Sequence, residues 1–297
     1  MLLTDRNSVP RGRYGWLRRI EQLDPVADHQ EIHRITAGFE FPWDYTRSLE
    51  FALFRTYCVP TISALLRKTG EFEKRPQKRY DDTALLMAEL VEHGYDSARG
   101  RESLRVVNRM HGKYDIDNAD MLYVLTTFIY EPLDWIDRYG WRRLHPHERL
   151  AAFHFYRGVG LRMGIREIPD DFQELHRFKM DYERDHFRYT DDNHAIGTYT
   201  RDLFCSWFPR PLRPLVGVGV NAMLDPMMLS AFGFRSAPGW IRSVADASLA
   251  GRAKVLLLFP RRATSRSTRE PGNRTYPGYP VGYRPSDLGA DSDYRHG

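Results

Sequence analysis

Cysteine is nearly absent: Cys58 and Cys205 are the only two in 297 residues, far apart and outside any Cys-x-x-Cys pair. That excludes a disulfide framework and a thiolate zinc site, and it fits a reducing cytosol. There is no Gly-x-Ser-x-Gly elbow, no Gly-x-x-x-x-Gly-Lys phosphate loop and no Gly-x-Gly-x-x-Gly fingerprint, so hydrolase, kinase and Rossmann chemistries fall away. No His-Glu-x-x-His string occurs among the eleven histidines. Nor does any run alternate apolar and polar residues as a half-buried strand would. The N-terminus reaches Asp5 and Arg6 with no apolar core before them, which gives no expectation of a secretory signal.

Long apolar runs are equally scarce. The single candidate, 214–234, carries Asp225 as its only charge, but Asn221, Asp225 and Pro226 fall in its middle. A spanning helix would pay most for a charge and a break there. The stretch reads as a helix pair broken at Pro226, with a peripheral membrane contact as the second reading. Excess charge of one sign is also missing from the body. The formal charge is +5, but 261–297 holds seven arginines against four acids, which leaves the rest close to neutral. Basic and acidic residues interleave there, so no nucleic-acid partner is expected.

Helical periodicity fills the remainder, and the fold class it predicts is all-α. Residues 1–45 read as an N-terminal extension, 46–260 as one helical domain, and 261–297 as a tail. That tail is rich in Gly, Pro, Tyr and Arg and too poor in apolar residues to build a packed core. Thr46 to Lys68 reads as a helix kinked at Pro60, and Asp81 or Asp82 as the cap of one that stops at Gly94. From Glu102 to Tyr114, helical spacing puts Leu104, Val107, His111 and Tyr114 on one face, turning His111 inward. Asn118 opens an apolar helix that runs to Pro132, and Pro146 with Glu148 opens another. Asp170 to Phe187, Asn193 to Trp207 and Trp240 to Leu258 complete the set.

His111 is the one residue on an apolar face whose chemistry calls for more than packing. Haem iron takes a single imidazole in an apolar pocket, with cations such as Lys113 at the rim for the propionates. On spacing alone the choice stays open, because a lone inward histidine also serves as an ordinary hydrogen-bonded core residue.

Four longer strings bear on that choice. KRYDDT (Lys78 to Thr83) is followed by His111 within RVVNRMHGKYDIDNADMLYVLTTFI. YGWRRLHPHE (Tyr139 to Glu148), GVGLRMGI (Gly158 to Ile165) and DYERDHF (Asp181 to Phe187) come later. Together, over roughly Leu49 to Pro260, they resemble the oxygenases of the MpaB type, whose domain is shared with the rubber oxygenases. The resemblance implies a helical, globin-like core holding haem b, with His111 as the proximal iron ligand. It also implies a distal pair at Arg79 and Thr83, with dioxygen as co-substrate. Tyr114 joins His111, Arg79 and Lys113 as an implied cofactor contact.

The implied reaction is oxidative cleavage of a carbon–carbon double bond in a small hydrophobic, isoprenoid-like substrate, lined by residues such as Tyr114, Phe128 and Met163. Two departures stand out. Asp82 occupies the position of a distal lysine in the rubber oxygenases and is read here as a proton relay. The carboxylate base of those enzymes has no counterpart upstream of Arg79. A haem carrier or sensor without turnover, and a helical binding module without haem, remain the alternatives.

Overall fold

The computed structural model describes residues 10–260, 262–266, 279 and 282–290. Fourteen α-helices and no strand occur among them, so the chain is all-α. In order they are α1 Gly15–Glu21, α2 His29–Ile35, α3 Pro42–Thr56, α4 Pro60–Thr69, α5 Glu71–Lys74, α6 Pro76–His93 and α7 Ala98–His111. There follow α8 Asn118–Tyr139, α9 Pro146–Arg162, α10 Phe172–His186, α11 Asp191–Ser206, α12 Arg213–Met223, α13 Pro226–Phe232 and α14 Gly239–Leu256.

The longest helix, α8, forms the centre, with α3, α9 and α10 packed around it. Phe41, Tyr45, Ile129, Leu133, Phe155 and Tyr156 fill the core between them. Small residues set how closely α9 can approach. A side chain on Gly160 would begin 2.6 Å from Leu125 Cδ2, and one on Gly158 would begin 2.7 Å from the Tyr95 hydroxyl. The GVGLRMGI string is therefore a contact surface, not a phosphate loop. A second core joins α3 and α4 to α11 and α13 through Phe54, Ile196, Phe204 and Phe232.

Proline and glycine punctuation sets most boundaries. Val59 turns the chain between α3 and α4, which are bent by 99°, with Pro60 in the first turn of α4. His145 caps α9 in a reciprocal box with Glu148. Pro226 begins α13, as the broken-pair reading of 214–234 requires. No single helix among the described residues is long and apolar enough to cross a membrane.

Three expectations change. α8 runs through Pro132 to Tyr139. Proline there removes one rung, but Leu133 and Ile136 beyond it are buried in the core, and that burial holds the last two turns in line. Asp81 and Asp82 are interior to α6, because Pro76 supplies the first-turn signal and starts the helix earlier. In the tail, 282–290 is packed: Leu288 is buried against Leu85, Leu86 and Val106 of the α6–α7 hairpin. Polar anchors make up for its low apolar content. The Lys78 ammonium donates to the Gly289 carbonyl at 2.7 Å, and the Arg75 guanidinium donates to that of Ala290 at 3.0 Å. Residues 261, 267–278, 280–281 and 291–297 of the tail, with 1–9 of the N-terminal extension, lie outside the described residues.

Candidate active site

The α6–α7 hairpin carries the residues that the sequence singled out. Gly94 stops α6 and Ser97 caps α7, its hydroxyl accepting from the Gly100 amide at 2.9 Å. The turn folds α7 back along α6, so the end of α7 at His111 returns towards the beginning of α6. The charge on Arg79 is close enough there to act on the His111 ring.

Arg79 and Thr83 sit one turn apart and are joined: the guanidinium donates to the Thr83 hydroxyl, which in turn donates to the Arg79 carbonyl at 3.0 Å. Both line a cavity of about 30 Å³ closed by Tyr57, Phe72, Leu203 and Phe204. A larger cavity of about 90 Å³ adjoins it, sharing Glu50, Leu53, Tyr80 and Thr83 as walls. The rest of that cavity is mainly apolar, with Leu49, Met87, Val91 and Phe128 among its lining. Phe128 is thus where a substrate wall would need it. Met163 packs against the central core instead.

Asp82 does not face this space. Its carboxylate accepts from the Lys78 ammonium at 2.6 Å and from the Tyr279 hydroxyl at 2.7 Å, on the side of α6 that the tail covers. A buried carboxylate fixed by a cation and a phenol is a structural tie, so the relay role is withdrawn. Tyr114 is corrected as well: α7 ends at His111, the helical spacing lapses, and Tyr114 is 41% exposed beyond it. Lys113 lies in the same exposed turn.

Glu50 was missed. It is a buried acid on α3 whose carboxylate pairs with Arg47 at 2.7 Å and accepts from the Tyr80 hydroxyl. Burial nevertheless outweighs both partners and pushes its carboxyl up to about 7. A signal for it existed: it is the only charge in the apolar stretch Ser48 to Phe54. Asp81 is a second buried acid, pushed up to about 8 chiefly by burial. One of its oxygens accepts from Gln77 at 2.7 Å and the other has no partner.

A haem iron requires a neutral, sheltered imidazole with a ring nitrogen to spare. Burial first, and then the Arg79 charge, hold His111 down to about 4, against a weaker pull from the Val107 carbonyl, so the ring is neutral at physiological pH. Its Nδ1 is buried and without a hydrogen bond of good geometry, although the Val107 carbonyl one turn back is close enough to act on the ring. Buried polar atoms are normally paired, so a nitrogen left in this way is available to a further partner. The donor and the nearby Arg79 cation fit. His111 lines neither cavity, and both fall below the volume of a usual cofactor site, so the space beside Arg79 would have to widen and open to the imidazole.

The family model described as ER-bound oxygenase mpaB/B'/Rubber oxygenase, catalytic domain, matches residues 51–254. The chain belongs to this family. The ER-bound oxygenase mpaB' of Penicillium brevicompactum is 32% identical over 260 residues, covering 80% of this chain and 61% of that protein. The ER-bound oxygenase mpaB of Penicillium roqueforti is 40% identical over 153 residues, covering 49% of this chain and 51% of that protein. This chain therefore spans between half and three fifths of the length of these relatives. Within the mpaB/rubber oxygenase domain, two of the strings behind the resemblance prove to be scaffold. Arg142 of YGWRRLHPHE bridges Glu40 at 2.7 Å and Glu148 at 2.6 Å, and Glu183 of DYERDHF binds Arg55 at 2.6 Å.

Proposed function

We propose that this chain is a haem b-dependent oxygenase that cleaves a carbon–carbon double bond in a small apolar, isoprenoid-like substrate at a membrane surface. The observation that carries the reading is His111: half-buried, neutral and with a buried ring nitrogen that lacks a well-formed hydrogen bond, in a chain whose curated relatives are named oxygenases. Their names also say ER-bound, and this supports the membrane setting.

His111 would hold haem b through its imidazole, and bound haem would supply a redox-active iron for dioxygen chemistry. Thr83 fixes the Arg79 guanidinium, so a cation stands ready in an apolar surround where developing negative charge on oxygen is stabilised far more than in water. Glu50 has a carboxyl that takes up and releases its proton near neutrality, and its Oε1 is held by the Tyr80 hydroxyl on the wall of both cavities. Leu49, Leu53, Met87 and Phe128 exclude water and match an apolar chain. The stoichiometry closes without an outside reductant. Dioxygen breaks the double bond and places one oxygen atom on each carbon, giving two carbonyl products.

The test is the visible spectrum of protein expressed with iron and a haem precursor. A Soret band is expected, lost in His111→Ala. It should accompany oxygen-dependent conversion of a prenylated olefin to carbonyl products. Absence of the band, or an unchanged band in the variant, overturns the assignment.

A further inference from the structure

Helix α14 turns an apolar stripe to the outside. Three of its charged residues face the protein. Asp246 accepts from the Tyr139 hydroxyl at 2.6 Å and pairs with Arg138 at 3.0 Å. Arg252 binds Asp44 at 2.9 Å and lies 3.7 Å over the Trp43 ring. Arg242 donates to the Leu224 carbonyl.

Ile241, Leu249 and Leu256 are half-buried on the inner side, but other large apolar residues face away. Trp240, Val244, Val255 and Leu258 are 65%, 56%, 51% and 84% exposed. With the exposed small residues Ala247 and Gly251 between them, they follow helical spacing along one stripe. Phe259 extends the stripe, and no residue of α14 is buried. A surface helix that meets only water carries charged and polar residues along its outer face, not a continuous apolar stripe. An exposed apolar stripe of this length therefore marks a contact.

The charge around the stripe selects the partner. Residues 207–260 hold six cations and two acids, and both acids, Asp225 and Asp246, are already ion-paired to Arg55 and Arg138. Lys254 stands exposed on α14 itself and Arg235 stands exposed five residues before Trp240. A second copy of the chain would bring the same positive rim against this one, whereas an anionic lipid surface complements both the cations and the apolar stripe. An exposed tryptophan on the stripe suits the headgroup level.

We propose that α14 and the turn after it lie flat on an anionic bilayer, with Trp240, Val244, Val255, Leu258 and Phe259 set among the headgroups and the upper acyl chains. This deepens the membrane part of the reading above and rests on none of its haem chemistry. It also sets that surface close in the chain to the larger cavity: Ser265 and Arg266, six and seven residues beyond Phe259, are part of the cavity wall.

The test is sedimentation of the full chain with vesicles of phosphatidylcholine alone or mixed equally with phosphatidylserine. Binding to the mixed vesicles is expected, at least about tenfold stronger than to phosphatidylcholine and weakened by salt. Trp240→Ser with Leu258→Ser should reduce it by about tenfold or more while the far-ultraviolet circular dichroism stays unchanged. Should that variant fail to fold, Arg235→Glu with Lys254→Glu provides the second arm, with selective loss of binding to the mixed vesicles expected. No binding by the unaltered chain, or equal binding by a folded variant, overturns the proposal. So does a dimer abolished by the Ser substitutions without vesicle binding. A Soret band kept by a variant that no longer binds vesicles separates the two readings: docking would be lost and haem ligation would stand.

Discussion

Around Arg55, between α3, α8, α10 and α13, a buried and a largely buried cation meet three carboxylates and each is engaged. The Arg55 guanidinium binds Glu183 at 2.6 Å, Glu131 at 3.3 Å and Asp225, while Lys179 binds Glu131 at 2.9 Å and Glu183 at 2.8 Å. Burial alone would raise Glu183, but Arg55 and Lys179 more than offset it and keep its carboxyl below the ordinary range. At the site beside α6 the balance runs the other way. His111 is held down to about 4, Glu50 up to about 7 and Asp81 up to about 8, and both His111 and Asp81 have a buried atom that lacks a well-formed hydrogen bond. The contrast separates scaffold from chemistry: where cations outweigh burial a carboxylate stays charged and fixes helices, whereas groups on which burial outweighs their partners shift towards their neutral forms and can exchange protons or take a ligand.

The largest effect tests the scaffold side. Arg55→Ala leaves three carboxylates with only Lys179 as a buried cation among them. Because an uncompensated buried charge is the costly outcome, unfolding in urea should show a loss of about 3–5 kcal/mol. A loss below about 1 kcal/mol would put the cluster in the class of surface pairs and erase the distinction.

Glu50 tests the other side. Its folded value lies above its unfolded one, so the native state binds the extra proton. The resulting stability is fully present below about 4.5 and is lost as pH rises through about 7. The whole swing is on the order of 3 kcal/mol. Glu50→Gln keeps an acceptor for Tyr80 but cannot ionise. Denaturant midpoints at pH 5 and pH 8 should therefore lie closer together in the variant than in the parent. An unchanged gap would mean that Glu50 is ionised in the fold throughout, like Glu183.

The sequence carried the helices well because punctuation and periodicity agree at Pro60, Gly94, Pro146 and Pro226. It failed where a tertiary term overrode a local one. Burial of Leu133 and Ile136 carries α8 past Pro132, and polar ties from Lys78 and Arg75 pack a tail too poor in apolar residues to fold by itself. At the site, helical spacing turned His111 inward, but only the family strings distinguished it from a core histidine. Asp82 was misread because a carboxylate three positions from Arg79 lies about 60° from it round the axis of α6, an offset that leaves open whether it faces the cavity or the tail. The Lys78 and Tyr279 contacts decide that. Glu50 was legible as a lone acid in an apolar helix, a pattern with a physical reason to be costly unless it is used.

The smallest predicted effect concerns that tail, which closes the face of α6 opposite the cavities. The Tyr279 hydroxyl donates to Asp82 and the Tyr283 hydroxyl donates to Glu89 at 2.8 Å, so the tail adds partners to carboxylates that Lys78 and Arg99 already neutralise. Asp82 would keep Lys78 in Tyr279→Phe, which places the tie on the scaffold side of the contrast as a supplement and not as its sole partner. A loss of about 1 kcal/mol in chemical denaturation follows from one removed hydrogen bond. Faster amide exchange should be confined to α6, α7 and 282–290. Faster exchange spread through α8 and α10 as well would mean that the tail ties the whole fold and not the hairpin alone.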